Sequence, residues 1–264
     1  MSDLNLLVRA TLGLYADALR QSTTSLVRHI WIVGLVPTYT IVLQLVTTVA
    51  MNLGFAGGLL VFLAVAACAS SFLAILGEAV AHQRVQMSEL SQTFGRYFSR
   101  LITVFFMFWI VRLLLGMIVS QNPNMVWLMV AVNTGIFIVF NPIPELIYQG
   151  HNDGMPLLQD AVQFTRDNLL EWLLPVAILM APFFLIDLQI GFLVMSKLGV
   201  QNGLDLVIGA VATWLPFGGI VQTLVATALA SVLVVWAMLF RGFLFRSLSR
   251  SGRRQRIFAS RARD

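Results

Sequence analysis

One arrangement of residues recurs three times along this 264-residue chain. A short amphipathic segment carries most of the local polar side chains, and two long apolar segments joined by an uncharged turn follow it. The amphipathic segments centre on Asp17, Gln92 and Asp160, which gives a period of about 70 residues. Such a repeat cannot bury its apolar faces alone, so the repeats must pack on one another. We therefore predict three hairpin repeats, at residues 4–77, 78–148 and 149–245.

The apolar segments are long enough to cross a membrane. Hydrophobic residues make up 58% of the chain and charged residues 11%, whereas soluble domains average about 25% charged residues. A helix of about 20 apolar residues spans the hydrocarbon core because it satisfies its own backbone hydrogen bonds. The sequence thus predicts an all-α polytopic transmembrane helix bundle of six spans, with an interfacial amphipathic helix before each hairpin. The predicted spans are 30–51, 55–77, 101–120, 125–147, 172–196 and one within 206–240.

The distribution of arginine predicts the orientation of these spans. Positive residues concentrate on the cytoplasmic side of membrane proteins. With the N-terminus inside, nearly every arginine outside the spans becomes cytoplasmic, and Lys197 alone falls outside. The start of the chain lacks the pattern of a cleavable signal peptide, so the first span is expected to direct insertion. We predict a multi-pass protein of the bacterial inner membrane with both termini in the cytoplasm.

Residues 246–264 form a basic segment that contains seven arginines among serine, glycine and glutamine. This segment is predicted to be a solvated cytoplasmic tail, separate from a single transmembrane domain at 1–245. It can bind anionic lipid head groups, at about 1 kcal/mol per basic residue, or serve only to fix orientation. Phe258 is its only aromatic residue, which argues against nucleic acid as a partner. The candidate lipid-contacting residues are Arg246, Arg250, Arg253, Arg254 and Arg256.

Two charged residues fall within predicted spans, where a charge is expensive and needs a partner. Arg112 lies about 17 Å from the inner end of the third span, and Asp187 about 22 Å from the inner end of the fifth. These similar depths predict an ion pair between the two residues. The pair can lock the helices together or line an outward-facing polar cavity.

Two glutamates occupy equivalent places at the inner ends of the second and fourth spans. Glu78 and Glu145 precede the centres of the next amphipathic segments by similar distances, and Arg241 or Gly242 lies near the corresponding place in the third repeat. Two prolines within residues 141–144 interrupt the helix before Glu145, because proline lacks a backbone donor. Freed carbonyls beside a carboxylate can form a cation or substrate site.

The alternative is that both glutamates lie at the head-group level and pair with Arg84 or Arg100. His82 follows Glu78 by four residues, so Glu78, His82 and Glu145 form a possible cytoplasmic-face site. Their spacing matches no zinc motif. We predict no metal and no cofactor.

One stretch carries a family resemblance. Residues 144–148, Pro-Glu-Leu-Ile-Tyr, are followed by a polar turn and by 158–168, Leu-Gln-Asp-Ala-Val-Gln-Phe-Thr-Arg-Asp-Asn. With the six-span layout, this resembles prokaryotic six-span proteins such as the membrane domain of glycerophosphodiester phosphodiesterases and the Yip-type families. The resemblance implies membrane embedding and a lipid-related or membrane-organising role. The phosphodiesterase catalytic domain has no counterpart in this sequence.

The sequence contains no phosphate-binding loop, nucleophile elbow or metalloprotease motif, so no enzymatic activity is expected. We predict a scaffold that binds the bilayer, its anionic lipids, and other membrane proteins or further copies of itself. The alternative is a small transporter or channel for a solute, an ion or a lipid, whose path runs between the hairpin repeats.

Overall fold

The computed structural model describes residues 3–81, 95–186 and 219–250. All regular secondary structure in these ranges is helical, which confirms the predicted all-α class. The first part of the chain forms α1 (Asp3–Arg28), α2 (Leu35–Ala50) and α3 (Phe55–Ala81), with 3₁₀ turns at Ile30–Gly34 and Met51–Leu53. The second part forms α4 (Phe98–Gln121), α5 (Val126–Phe140), α6 (Ile143–Gln149), α7 (Met155–Ile186) and α8 (Gly219–Arg250), with a 3₁₀ turn at Pro123–Met125.

Five helical segments are long and apolar enough to cross a membrane. They are Ile30–Leu53, Phe55–Ala81, Phe98–Gln121, Trp127–Gln149 and Gly219–Arg250. Each overlaps one of the predicted spans. The remaining span, 172–196, begins within α7 and continues past Ile186, beyond the described residues. The second amphipathic segment up to Phe94 and the stretch 206–218 also lie outside them, so the count of six and the threefold repeat remain predictions.

The two ends of the bundle differ in charge and in packing. At the charged end, α3 and α6 finish and α4 begins, and ion pairs join α3 to the turn before α4 and α4 to the loop after α6. The opposite end, the turn end, contains the turns at Gly54 and Asn122. The largest fully buried side chains lie towards the charged end, and they include Ile32, Leu76, Ile147, Leu157 and Leu244. At the turn end Phe55 is 92% exposed and Trp127 is 66% exposed.

The first helix packs along the last. Ala18 of α1 is buried, and the indole nitrogen of Trp236 on α8 donates to Thr23 Oγ1 at 3.1 Å. Tyr15 also donates its hydroxyl to the carbonyl oxygen of Glu171 on α7 at 2.7 Å. The two ends of the described chain are therefore fastened to each other at the charged end.

The helix α7 contains an interruption at Asn168, where φ is −129° and ψ is 24°. Residues 155–167, before the interruption, pack against α5 and α6, and Thr165 Oγ1 donates to Val139 O at 2.8 Å. Asn168 Nδ2 donates to Phe164 O at 3.2 Å. The interruption lies at the junction that the sequence predicts between the third amphipathic segment and the fifth span.

The basic tail that the sequence predicts from residue 246 begins inside a helix. Helix α8 continues through Arg250, because Leu244, Phe245 and Leu248 extend its buried stripe by another turn. Arg246 donates from Nη1 to Val80 O at 2.7 Å, so it fastens α8 to the end of α3 instead of belonging to a solvated tail. The other predicted tail arginines beyond Arg250 lie outside the described residues.

Candidate functional site

The candidate site is built around a break between α5 and α6. Pro142, with φ −80° and ψ 2°, lies in the gap between Phe140 and Ile143. This confirms the interruption predicted from the prolines in residues 141–144. The break leaves the backbone carbonyl of Asn141 facing α8, and it places Glu145 in the first turn of α6.

Glu145 forms a bidentate ion pair with Arg241 of α8. Arg241 Nε donates to Glu145 Oε1 at 2.8 Å, and Arg241 Nη2 donates to Glu145 Oε2 at 2.9 Å. Arg241 Nη2 also donates to Asn141 O at 2.7 Å. The Glu145 side chain is completely buried, whereas the Arg241 side chain is 22% exposed. Two matched charge-assisted bonds of this kind are what allows a carboxylate to be buried.

Trp172 covers the guanidinium group. Its ring centre lies 5.1 Å from the Arg241 Cζ atom, within the range of a cation–π contact. Its indole nitrogen donates to Asn141 Oδ1 at 3.0 Å. Asn141, Glu145, Trp172 and Arg241 therefore form one group, the ion-pair cluster, that joins the α5–α6 break, α7 and α8.

An aromatic group supports the ion-pair cluster from one side. The rings of Phe164 and Phe245 lie 4.5 Å apart, and Trp172 meets both nearly edge to face, at 5.3 and 6.0 Å. Such pairs add about 0.5–1.5 kcal/mol each beyond the area they bury. The orientation of Trp172 is thus fixed by its neighbours on both α7 and α8.

The hydrogen bonds of the ion-pair cluster limit its chemistry. Both carboxylate oxygens of Glu145 accept from Arg241, so this group is not a free base or nucleophile. Arg241 has five N–H donors, and three of them bind Glu145 and Asn141. The two on Nη1 have no hydrogen-bond partner among the described residues.

A small cavity of about 50 Å³ adjoins the ion-pair cluster between α7 and α8. This volume has room for a few water molecules. Asn141 and Arg241 are among its lining residues, yet the cavity surface is almost entirely apolar. Its other walls are Trp172, Pro175, Ala237, Phe240 and Leu244.

Close helix contacts surround the ion-pair cluster at the charged end. Tyr148 of α6 lies between α3 and α8, where a Cβ at Gly77 would be 3.1 Å from Tyr148 Cβ and a Cβ at Gly242 would be 2.6 Å from Tyr148 Oη. Gln149 Nε2 donates to Gly242 O at 3.0 Å. The ends of α3, α6 and α8 therefore meet at one point, with Tyr148 in the middle.

Glu145 pairs with Arg241 and not with Arg100, one of its two expected partners. Arg100 instead forms an ion pair with Asp153 and donates to Ile147 O at 2.9 Å, while Glu145 turns towards α8 and Arg241. The convergence of α6 and α8, which single-chain spacing does not reveal, brings the two residues together. Arg84 lies outside the described residues.

Glu78 occupies a more exposed place. It pairs with Arg96, whose side chain is half exposed, and this hydrogen bond raises the pKa of Arg96 above its usual value. His82, the proposed companion of Glu78, lies outside the described residues. The structure therefore separates Glu78 and Glu145 into two different ion pairs.

Only one member of the predicted intramembrane pair of Arg112 and Asp187 lies within the described residues. Arg112 is exposed on α4, and none of the described residues forms a hydrogen bond or an ion pair with it. Asp187 follows the last described residue of α7. Over the described ranges, no group of three or more His, Cys, Asp or Glu side chains is placed to hold a metal ion.

The sequence analysis gives Trp172 no role in a site. Arg241 enters it only because Arg241 or Gly242 lies near the third-repeat place that corresponds to Glu78 and Glu145. That equivalence is the sequence signal for a contact between Arg241 and Glu145, although Glu78 lies in a separate ion pair.

No protein-family model matches the chain, and no curated protein or solved structure is similar to it.

Proposed function

We propose that this chain is a non-enzymatic multi-pass protein of the bacterial inner membrane that organises the bilayer or partner proteins through its charged end. The observation that carries the proposal is the concentration of packing at that end. There α1 packs on α8, residues 155–167 pack on α5 and α6, and ion pairs join the helix ends. A rigid surface on one face of the protein can bind partner proteins with little rearrangement.

The arginine distribution supports a cytoplasmic location for the charged end. Arg28, Arg96, Arg100 and Arg250 all lie at helix ends on that side, whereas the turn at Met51–Leu53 carries no charge. Arginine-rich ends stay in the cytoplasm during insertion. With the charged end inside, α1 and residues 155–167 lie in the cytoplasmic interface, and the basic residues after α8 can reach anionic head groups.

The second candidate is transport of a small solute, an ion or a lipid. It is favoured by the completely buried carboxylate of Glu145 beside a helix interruption and a cavity. Broken helices with a buried charge are a recurrent feature of transporter binding sites. A transporter requires the charges of Glu145 and Arg241 for its flux, whereas a scaffold requires the pair only to join helices.

The double substitution Glu145→Leu with Arg241→Leu separates them. Replacing both partners of a buried pair by apolar residues is often neutral for folding, whereas Glu145→Leu alone leaves a buried cation and costs about 3–5 kcal/mol. The scaffold proposal predicts that wild-type and double-variant proteoliposomes pass protons and potassium no faster than protein-free vesicles. Flux in the wild type that the folded double variant lacks contradicts it.

A second measurement tests the partner-binding role directly. A photocrosslinking amino acid at Gln163, which is exposed on the charged-end part of α7, should join neighbouring proteins in intact membranes. The same group at Asn52, exposed in the turn-end turn, is the control and should yield much less. Equal yields at the two positions, or none at either, contradict the proposal.

A further inference from the structure

We propose that α1 and the first part of α7, residues 155–167, each insert an exposed apolar stripe into the phospholipid leaflet at the charged end. The stripe residues are Leu12, Leu19 and Val27 on α1, and Met155 and Val162 on α7. This inference rests on the membrane embedding in the proposed function and names the residues through which the two helices meet the bilayer. The stripes are separate from the arginines that follow α8.

Both stripes are apolar and exposed. Leu12, Leu19 and Val27 are 60%, 39% and 72% exposed, and Met155 and Val162 are 58% and 45% exposed. Successive members of a stripe are seven or eight residues apart, which is about two turns of an α-helix, so they lie on one face. Each helix therefore presents an apolar face that the described part of the chain leaves uncovered.

The stripe of α1 is not the face that packs on the bundle. The packed face contains Ala18, Ser22, Ser25 and Leu26, which are all buried. Two serines thus lie against protein while the residues of the stripe lie outside. This order is the opposite of the one expected for a helix surrounded by water, whose outer positions are polar. The medium that covers the stripe is therefore apolar.

A third face of α1 is charged. Arg9, Asp17 and Arg20 are exposed there. A helix with one protein-facing, one apolar and one charged face fits the boundary between the bundle, the acyl chains and water. Arginine at such a boundary can extend its guanidinium to head-group phosphates while its methylenes contact lipid. The charges of α1 therefore suit a phospholipid leaflet as the medium.

The stripe of α1 adjoins the outer surface of a membrane-spanning helix. Helix α8 is long and apolar enough to cross a membrane, and its Leu229 and Leu233 are 45% and 48% exposed on the same face as Trp236. Trp236 donates its indole N–H to Thr23, which lies on the stripe face of α1. Tryptophan is typical of the membrane–water interface. Lipid that covers this face of α8 is therefore next to the stripe of α1.

The exposed face recurs in α7 at the equivalent place of the predicted third repeat. A shift of 143 residues, about twice the 70-residue period, relates the first two stripe residues of α1 to Met155 and Val162. The same shift relates Ala18 to Ala161, and both alanines are buried. Residues 155–167 pack on α5 and α6, whereas α1 packs on α8. A leaflet surrounds the bundle and covers both faces, whereas a partner protein would have to match two separate ones, so lipid is the favoured occupant.

Spin labels show what covers each stripe. In a Cys68→Ala background, Leu12→Cys and Val162→Cys carry a nitroxide on the stripes, and Asp17→Cys and Gln163→Cys carry it at exposed polar positions of the same helices as matched controls. Each full-length protein is reconstituted into vesicles of phosphatidylethanolamine and phosphatidylglycerol. Collisions of the nitroxide with oxygen, which concentrates among acyl chains, are compared with its collisions with a water-soluble nickel chelate. We expect a severalfold higher ratio of oxygen to nickel collisions at the stripe positions than at the controls.

Equal ratios at the stripe and control positions overturn the proposal, because water would then cover the stripes. Few collisions with either reagent at the stripes overturn it too, because protein would then cover them. Leu113→Cys, at an exposed position on α4, is the lipid-facing reference. A high ratio at Leu113→Cys with low ratios at the stripes rejects this inference alone, whereas a low ratio at Leu113→Cys rejects the membrane embedding as well.

Discussion

At the scale of single residues, the buried carboxylate of Glu145 explains most of the local structure around it. Its two oxygens require donors, and Arg241 supplies both from another helix. Arg241 in turn uses the Asn141 carbonyl and the Trp172 ring. The ion pair of Glu145 therefore connects α6, α7 and α8. Removal of either partner would leave the other charge unpaired, so both are needed for this connection.

Gly242 provides the sharpest test of packing at this scale. A Cβ at Gly242 would lie 2.6 Å from Tyr148 Oη and 2.8 Å from Val80 Cγ2, so Gly242→Ala should lower the free energy of unfolding by about 1–3 kcal/mol. Tyr148→Phe removes the nearest atom and should recover part of the loss. Gly116→Ala is the control, since no atom lies within 4 Å of its Cβ and alanine favours a helix.

These effects are measured by chemical or thermal unfolding in detergent micelles. If Gly242→Ala is as stable as Gly116→Ala, the close approach of α3, α6 and α8 at Tyr148 is incorrect.

Within the ion-pair cluster, the sequence analysis singles out Glu145 and the proline break, but not Arg241 or Trp172. Glu145 and the proline break were found because a charge and two prolines in an apolar stretch violate the local pattern. Its pairing with Arg241, 96 residues away, could not be found in the same way. The partner depends on which helices converge, and spacing along one chain does not fix that.

At the scale of helices, α1 is more than a peripheral element. It packs along α8 and reaches α7 through Tyr15, so it connects the start of the described chain to its end. Its polar side chains Asp17 and Arg20 are exposed on the other side. A helix of this kind contributes stability through one buried face.

Ala18→Leu tests the contact between α1 and the bundle. Ala18 is 1% exposed, and the three extra carbon atoms of leucine do not fit there without displacement of neighbouring groups. We expect a loss of about 1–3 kcal/mol in the free energy of unfolding. Ala16→Leu changes an exposed position on the same helix and should alter stability by less than about 0.5 kcal/mol. Unfolding of the two variants at the same denaturant concentration would contradict the contact between α1 and the bundle.

Helix types and approximate spans followed from hydropathy, but several boundaries did not. The single apolar run predicted at 125–147 is divided by Pro142, and α8 extends through Arg250 where a tail was predicted. Apolar content fixes where a helix can cross a membrane. It does not fix where the helix ends, because Leu248 and its neighbours are buried by protein and not by lipid.

At the scale of the whole molecule, the described helices converge at the charged end and expose large apolar residues at the turn end. Arg246 joins α8 to α3, Arg100 joins α4 to α6, and Arg241 joins α8 to α6. All three connections lie on the same side of the bundle, towards the charged end. This common location is the main support for a charged end that stays in the cytoplasm.

Cysteine accessibility tests that central claim most directly. In a Cys68→Ala background, single cysteines replace Asn52 and Asn122 at the turn end and Ser251 just after α8. A membrane-impermeant maleimide should label the first two in intact spheroplasts and the third only after permeabilisation. Labelling of Ser251→Cys in intact spheroplasts, or protection of both turn-end cysteines, would show that the charged end faces the periplasm and would contradict the account.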